Sequence, residues 1–442
     1  MDAVTITPSG PLQAAIRPPG SKSLTNRALI CAALADGPSV LLGALDSEDT
    51  RVMVEALRQL GLDVQVDPAS ATIEVTGGGG RLPVAAADLF VANSGTTIRF
   101  LTGMLAATHG RYRLDGIARM RQRPIGDLLD ALNALGAECR SESPGGCPPV
   151  VVDARGLRGG TAHIRGDISS QFLSGVLMAA PCAAADVELV VDGVLVSQPY
   201  VHMTLGVMRA FGIDASATDL RRIVVAAPQQ YRGTTYAIEP DASAASYFWA
   251  AAAIAGGRVT VEGLGRDALQ GDVAFVECLR QMGCGVSDSP TGITVTGGAL
   301  RGIEVDMNAI SDTAQTLAVV ALFAEGPTTI TGIGHNRHKE TDRIADLARE
   351  LRKLGASVEE QAEGLTIIPG RLQGATIETY NDHRMAMSLA LAGLRVPGVV
   401  ITNPHCTGKT YPRYFEDLAR VTGATGLPYD RGATRPERLS PD

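Results

Sequence analysis

The sequence predicts an α/β fold of two closed domains, each made of three copies of one unit. Three observations predict it. Six amphipathic helical stretches end in glycine at a period near seventy residues. Six almost wholly apolar helical stretches lie between them, and alternating strand-like runs separated by Gly-rich turns fill the gaps.

The amphipathic stretches are Thr50–Gly61, Pro124–Gly136, Pro199–Gly212, Asp272–Gly283, Thr341–Gly355 and Pro412–Gly423. Each has apolar residues at helical spacing and a final glycine suited to a left-handed C-cap. Those glycines are 75, 76, 71, 72 and 68 residues apart, so six units cover nearly the whole chain. The apolar stretches are Ser23–Ala35, Thr96–Thr108, Ser170–Ala180, Ser243–Ala255, Thr313–Ala324 and Arg384–Leu394. A solenoid can have such a period, but a helix that is apolar all round needs an interior, so the units are expected to close into domains. Strand-like runs include Asp63–Val66, Thr72–Thr76, Val187–Val191, Val259–Glu262, Gly292–Thr296 and Thr328–Thr331. The seam between the two groups of three is expected near Tyr236–Asp241, after the strand Ile223–Ala227. The tail 428–442, rich in Pro and Arg, is expected to fray.

Composition narrows the class. The chain has 442 residues, 45% hydrophobic, which excludes global disorder. The apolar run around Ala244–Ala255 falls short of the ~20 residues of a membrane span. The first ten residues show no basic-then-apolar leader. A net charge of −8 argues against nucleic acid and anionic membranes as partners. Cys31, Cys139, Cys147, Cys182, Cys278, Cys284 and Cys406 form no Cys-x-x-Cys pair and read as reduced small hydrophobes of a cytoplasmic protein. The seven histidines form no zinc pattern, so no metal is expected.

The charge count hides one sharper feature. Only four lysines, Lys22, Lys339, Lys353 and Lys409, stand against 35 arginines. Three of the four fall in polar junctions at unit starts, and Lys353 reads as ordinary surface charge. The apolar helices open on Gly20-Ser-Lys-Ser23, Asn93-Ser-Gly-Thr96, Ser169-Ser-Gln171, Asp241 to Ser243, Ser311-Asp-Thr313 and Asp382-His-Arg384. Capping accounts for the Ser and Asp residues. It does not account for Lys22, Arg27, Gln171, His383 or Arg384, because a cation near a helix N-terminus opposes the dipole unless an anion sits there. If the apolar helices of each domain run roughly parallel, their N-termini crowd one face, and two such faces across a cleft would make an anion site.

The motifs PGSKSLTNRALI (19–30), NSGTTIRFL (93–101), RPIGDLL (123–129), SSQFLSGVLMAAP (169–181), SDTAQTLAV (311–319), KETDRI (339–344) and NDHRMAMSLAL (381–391) together resemble the 5-enolpyruvylshikimate-3-phosphate (EPSP) synthase family, in order and spacing, from about Ile6 to Gly423. The resemblance implies an inside-out α/β barrel of six βαβαββ units, three per domain. It implies domains of 1–20 plus 240–427 and of 21–239. It also implies a monomeric cytoplasmic enzyme without cofactor that moves the enolpyruvyl group of phosphoenolpyruvate to the 5-hydroxyl of shikimate-3-phosphate, the sixth step of the shikimate pathway and the step blocked by glyphosate.

By the same resemblance, Lys22 contacts both substrates. Ser23, Arg27, Ser169, Ser170, Gln171, Ser197, Tyr200, Asp312, His335 and Lys339 hold shikimate-3-phosphate. Asn93, Gly95, Arg123, Gln171, Arg343, Arg384 and Lys409 clamp phosphoenolpyruvate. Asp312 takes the 5-hydroxyl proton, Glu340 is the acid near C3, and Lys22 and His383 are further proton carriers. Ser94, Phe100 and His335 depart from residues common in the family (Ala, Pro and Asn); the first two flank the phosphoenolpyruvate loop and leave glyphosate response open, and the third leaves the hydroxyl contact of His335 open. Three other readings are weaker. A UDP-N-acetylglucosamine enolpyruvyl transferase calls for Lys-Asn near its start and a loop cysteine. An RNA-terminal phosphate cyclase calls for a basic stripe. A catalytically dead anion-binding scaffold would lack Asp312, Glu340 or Lys22.

Overall fold

A computed structural model describes residues 2–215, 217 and 219–424; the tail 428–442 and the domain end 425–427 lie outside the described residues. The chain forms two compact units. The N-terminal unit is Pro19–Glu239. The C-terminal unit joins residues 2–18 to residues from Pro240 onward.

In the N-terminal unit the helices are α1 (Lys22–Leu34), α2 (Glu48–Gln59), α3 (Gly95–Ala106), α4 (Gly126–Ala134), α5 (Ser170–Ala179) and α6 (Gln198–Ala210). In the C-terminal unit they are α7 (Ala242–Ala255), α8 (Phe275–Gln281), α9 (Ala314–Ala321), α10 (Ala345–Lys353), α11 (His383–Ala390) and α12 (Tyr414–Thr422). The odd-numbered helices are the apolar set, and burial explains why they form without polar faces. All fourteen residues of α7 are buried, and α1 is buried from Leu24 to Leu34. Their one indole is satisfied: the Trp249 N–H donates to the Ile293 carbonyl at 3.1 Å. Glycine sets the closest helix approach. A Cβ on Gly103 of α3 would stand 2.3 Å from the Gly175 carbonyl oxygen of α5.

The even-numbered helices end as their glycines dictate. Gly61, Gly136, Gly212, Gly283, Gly355 and Gly423 have φ of 89°, 98°, 84°, 108°, 100° and 69°. That left-handed conformation costs glycine nothing and ends a helix. Their starts are less regular than the periodicity suggests. The fourth amphipathic stretch begins as a 3₁₀ turn, Gly271–Ala274, before α8, and a second 3₁₀ turn, Asn308–Thr313, precedes α9. Lys353 is more than surface charge. Its ammonium lies 2.8 Å from Glu350, whose side chain is fully buried.

Among the described residues, six small sheets carry the helices, three in each unit. Each contains one parallel strand pair, and every other pairing is antiparallel. In the N-terminal unit the parallel pairs are Asp36–Leu42 with Thr235–Ala237, Ala86–Phe90 with His109–Asp115, and Gly160–Arg165 with Val187–Asp192. In the C-terminal unit they are Leu12–Ile16 with Gly257–Glu262, Glu304–Asp306 with Thr328–Thr331, and Thr376–Ile377 with Val400–Thr402. Ala3–Thr5 adds antiparallel to Val400–Thr402, so both N-terminal strands belong to the C-terminal unit.

Candidate active site

In the N-terminal unit the starts of α1, α3 and α5 are bonded to one another. Ser21, Ser94 and Ser169 cap them, accepting from the backbone N–H groups of Leu24, Thr97 and Gln171. Ser94, one of the departures from the family pattern, is thus engaged as a cap. Asn26 of α1 donates to the Thr96 hydroxyl of α3 at 2.9 Å, and Thr96 donates to Asp49 at 3.2 Å. Asp49 also sits 3.6 Å from Lys22. Arg99 of α3 donates to the Gln171 side-chain oxygen of α5 at 2.8 Å and to the Pro124 carbonyl at 3.1 Å. Arg123 bonds the Asn93 carbonyl at 3.0 Å and its side-chain oxygen at 3.3 Å.

Gly95 is where these cations meet. A Cβ there would lie 2.5 Å from Arg123 Nη2 and 2.6 Å from Arg99 Nη1, so only glycine leaves room for both guanidiniums. Arg27 is fully buried. It donates to Thr204 at 2.7 Å, to Ser174 at 3.3 Å and to the carbonyls of Ser23 and Tyr200 at 3.0 and 3.2 Å. Its guanidinium carbon stands 5.0 Å from the Phe100 ring centroid and 5.8 Å from that of Tyr200. Burial pulls its pKa down to about 10, which leaves it charged at neutral pH. Ser170 opens α5, and Ser197, in the left-handed region at φ 54°, opens α6. Arg27 ties both helices to α1, because Ser174 lies on α5 and Thr204 on α6. Lys22, Arg27, Arg99 and Arg123 are four cations against the one carboxylate of Asp49, a balance of +3.

The C-terminal unit gathers the other residues. Asp312 lies in the 3₁₀ turn before α9 and accepts from Lys339 at 2.6 Å, Arg384 at 2.7 Å and Arg343 at 3.4 Å. Arg343 pairs with Asp382 at two points, 2.7 and 3.1 Å, and with Glu340 at 2.9 Å. Those carboxylates outweigh the effect of burial and push the Arg343 pKa above its usual value. Lys409 reaches Glu340 at 3.2 Å. Asp382 caps α11 by accepting from the Arg384 backbone N–H at 2.8 Å. Lys339, Arg343, Arg384 and Lys409 face Asp312, Glu340 and Asp382, a balance of +1. The anion that cations at helix starts call for is therefore supplied in part by the protein's own carboxylates.

The two histidines are neutral. His335 shares a hydrogen bond with Ser311 at 2.9 Å, and burial, with Lys339 adding, lowers its pKa to about 3. His383 is buried with neither ring nitrogen hydrogen-bonded, and desolvation, then the charge of Arg384, puts its pKa well below the usual value. It is thus not poised as a cationic donor. One acid titrates the other way. Asp272, buried and accepting from Ser243, is raised to about 6, by burial first and then by the charge of Asp312. Sequence reasoning missed Arg99, Asp49 and Asp272. An arginine inside the otherwise apolar stretch 96–108 was the available signal for Arg99.

Paired helix N-termini, a surplus of Lys and Arg and a few carboxylates within hydrogen-bond reach define an enzyme for small, multiply anionic substrates. Comparison with known proteins makes this specific. Residues 6–418 match the family model "EPSP synthase (3-phosphoshikimate 1-carboxyvinyltransferase)". The 3-phosphoshikimate 1-carboxyvinyltransferase of Nostoc punctiforme is 48% identical over 417 residues, covering 94% of this chain and 98% of that protein. That of Trichormus variabilis is 45% identical over 96% of this chain and all of its own length. An Acinetobacter baumannii EPSP synthase structure superposes with a TM-score of 0.80 at 28% identity, covering 95% of this chain and 98% of that one. The enolpyruvyl transferase NikO of Streptomyces tendae shares the fold, with a TM-score of 0.78 at 23% identity. The chain belongs to the EPSP synthase family.

Proposed function

We propose a division of labour between the two units for the reaction of this family. The enzyme transfers the enolpyruvyl group of phosphoenolpyruvate to the 5-hydroxyl of shikimate-3-phosphate and releases phosphate, in the shikimate pathway to aromatic amino acids. Chemically, C3 of phosphoenolpyruvate takes a proton, C2 becomes electrophilic and the hydroxyl adds to it, losing its proton; the tetrahedral intermediate then expels phosphate as C3 gives up a proton and the enol double bond re-forms.

In this reading Ser23, Arg27, Ser169, Ser170, Ser197 and Tyr200 hold shikimate-3-phosphate, with Gln171, Lys22, Asp312, His335 and Lys339. The phosphoenolpyruvate set is Lys22, Asn93, Gly95, Arg123, Gln171, Arg343, Arg384 and Lys409. The guanidiniums of Arg99 and Arg123 meeting at Gly95 support placing anionic oxygens there, since bidentate guanidiniums suit both carboxylate and phosphate. Asp312, whose carboxylate accepts from Lys339 and Arg384, is the base for the 5-hydroxyl. Glu340 is the acid toward C3. An incoming phosphate competes for its partners Arg343 and Lys409, and a carboxylate deprived of cations takes up a proton more readily. Lys22 neutralises the departing phosphate and carries protons with Glu340. His383, neutral and buried, shapes the wall beside Arg384.

The fold part of the reading is an inside-out α/β barrel of six βαβαββ units, supported by six sheets that each hold one parallel pair. A monomeric cytoplasmic enzyme needing no cofactor or metal completes it, and gel filtration tests the monomer. The observation that carries the assignment is the convergence of Lys339, Arg343 and Arg384 on Asp312. Purified protein given both substrates should release inorganic phosphate without added metal, and no release overturns the assignment. Lys22→Met should lower turnover by at least about a hundredfold with Tm nearly unchanged, since the 3.6 Å ion pair of Lys22 with Asp49 is a long one. A large loss of Tm would mean that Lys22 is structural.

A further inference from the structure

Two consecutive residues outside the substrate-binding set carry left-handed backbone without being glycine. Tyr380 has φ of 52° and Asn381 of 53°, immediately before Asp382, His383 and Arg384. A bulky aromatic in that region is strained by about 1 kcal/mol or more and persists only where its surroundings hold it. What holds it is Glu350 of α10, a fully buried carboxylate with three donors. The Tyr380 hydroxyl reaches it at 2.6 Å, Lys353 at 2.8 Å and the Glu378 backbone N–H at 3.1 Å. Arg349 adds a bond to the Tyr380 hydroxyl at 3.0 Å and lies over its ring at 5.6 Å.

The second residue of the strained pair is tied elsewhere. Asn403 donates to the Asn381 side-chain oxygen at 3.1 Å. Asn403 is itself left-handed, at φ 43°, and begins the 3₁₀ turn Pro404–Lys409 that presents Lys409. The Tyr380–Asn381 pair thus stands where the segment leading to Arg384 meets the segment leading to Lys409.

We propose that Glu350 is a positioning residue for phosphoenolpyruvate binding: through Tyr380 it fixes the left-handed pair and so sets the direction in which Asp382, Arg384 and Lys409 are presented. This rests on the assignment of Arg384 and Lys409 to the phosphoenolpyruvate clamp. Among the described residues, Glu350 is hydrogen-bonded to Lys353, Tyr380 and the Glu378 N–H, and the last two lead into the turn before Asp382. The pair also explains why one of only four lysines is spent at Lys353, whose ammonium neutralises the buried carboxylate.

Steady-state kinetics on the full chain, with each substrate varied in turn, test the inference. Tyr380→Phe keeps the ring and deletes only the hydroxyl. It should raise the KM for phosphoenolpyruvate about fivefold while the KM for shikimate-3-phosphate changes less than about twofold, the loss of one charge-assisted hydrogen bond spread over the loop. Glu350→Gln should give the same asymmetry, and if that variant does not fold, Tyr380→Phe carries the test alone. An unchanged KM for phosphoenolpyruvate, or an equal rise in both KM values with a fall in Tm, overturns the proposal. Arg384→Ala is the internal standard. If it raises the KM for phosphoenolpyruvate and Tyr380→Phe does not, the inference alone has failed. If Arg384→Ala leaves that KM unchanged, the clamp assignment has failed and the inference falls with it.

Discussion

Arg343 and Asp382 form a buried two-point ion pair, Nε to Oδ2 at 2.7 Å and Nη2 to Oδ1 at 3.1 Å, with side chains 2% and 0% exposed. Asp382 does three things with one carboxylate: it neutralises Arg343, caps α11 and begins the segment that carries Arg384. Removing it leaves a buried guanidinium short of charge and uncaps a helix. Asp382→Ala is therefore expected to cost about 3–5 kcal/mol for the orphaned charge and about 1 kcal/mol for the cap. Asp382→Asn, which can still cap, should cost less. Urea denaturation checks both, and equal losses would mean that the charge, not the cap, is what matters.

Gly95 bears on the site rather than on stability. A methyl group there meets Arg123 Nη2 at 2.5 Å and Arg99 Nη1 at 2.6 Å, both flexible guanidinium ends that can move aside. Gly95→Ala should thus fold, with Tm within roughly 2 °C of the parent, and raise the KM for phosphoenolpyruvate about tenfold as the two cations are displaced. A KM change confined to shikimate-3-phosphate would contradict this placement.

The low pKa of His335 predicts an acid-side instability. The folded imidazole, held near 3, stays neutral where the unfolded one, near 6.5, takes a proton. Stability from this residue is intact above about pH 6.5 and is lost as pH falls toward 3, by roughly 2 kcal/mol between pH 7 and pH 5. His335→Asn should flatten the fall in Tm over that interval. An NMR titration showing the His335 ring midpoint between pH 6 and 7 would refute the assignment.

Asp272 has the opposite sign. Its folded pKa, about 6, lies above that of an unfolded aspartate near 3.9, so the folded carboxyl holds a proton that the unfolded one has released. The charged form costs stability above about pH 6, and the cost disappears as pH falls from 6 to 4. Asp272→Asn, able to keep the Ser243 contact, should raise Tm by roughly 2–5 °C at pH 7.5 and leave it unchanged at pH 4. A gain of equal size at both pH values would show that the carboxylate's charge is not responsible.

Much of the fold is legible in the sequence. The six terminal glycines all adopt left-handed backbone, and stretches such as Ser243–Ala255 proved to be interior helices, because both features follow from local sterics and from apolar surface needing cover. Helix starts were less legible. Asp312 was expected at the head of a helix and lies instead in a 3₁₀ turn broken at Ile310, whose φ and ψ are −128° and 36°. No local pattern distinguishes such a turn from a first helical turn. Lys353 was read as plain surface charge because i, i+3 spacing to Glu350 does not reveal that Glu350 is buried.

The sequence by itself determined that helix starts would be crowded with cations: residue type and the spacing of caps, apolar runs and glycines are properties of short segments. Tertiary structure alone decided which carboxylate answers each cation. Arg343 meets Asp382 across 39 positions and Arg384 meets Asp312 across 72. Such pairs depend on packing that brings distant segments of the C-terminal unit side by side, and a charge has no periodicity that records its partner. An acidic chain, net −8, can therefore hold a basic site, because water and salt screen the exposed charges while the buried groups of the site act on one another at a few ångströms.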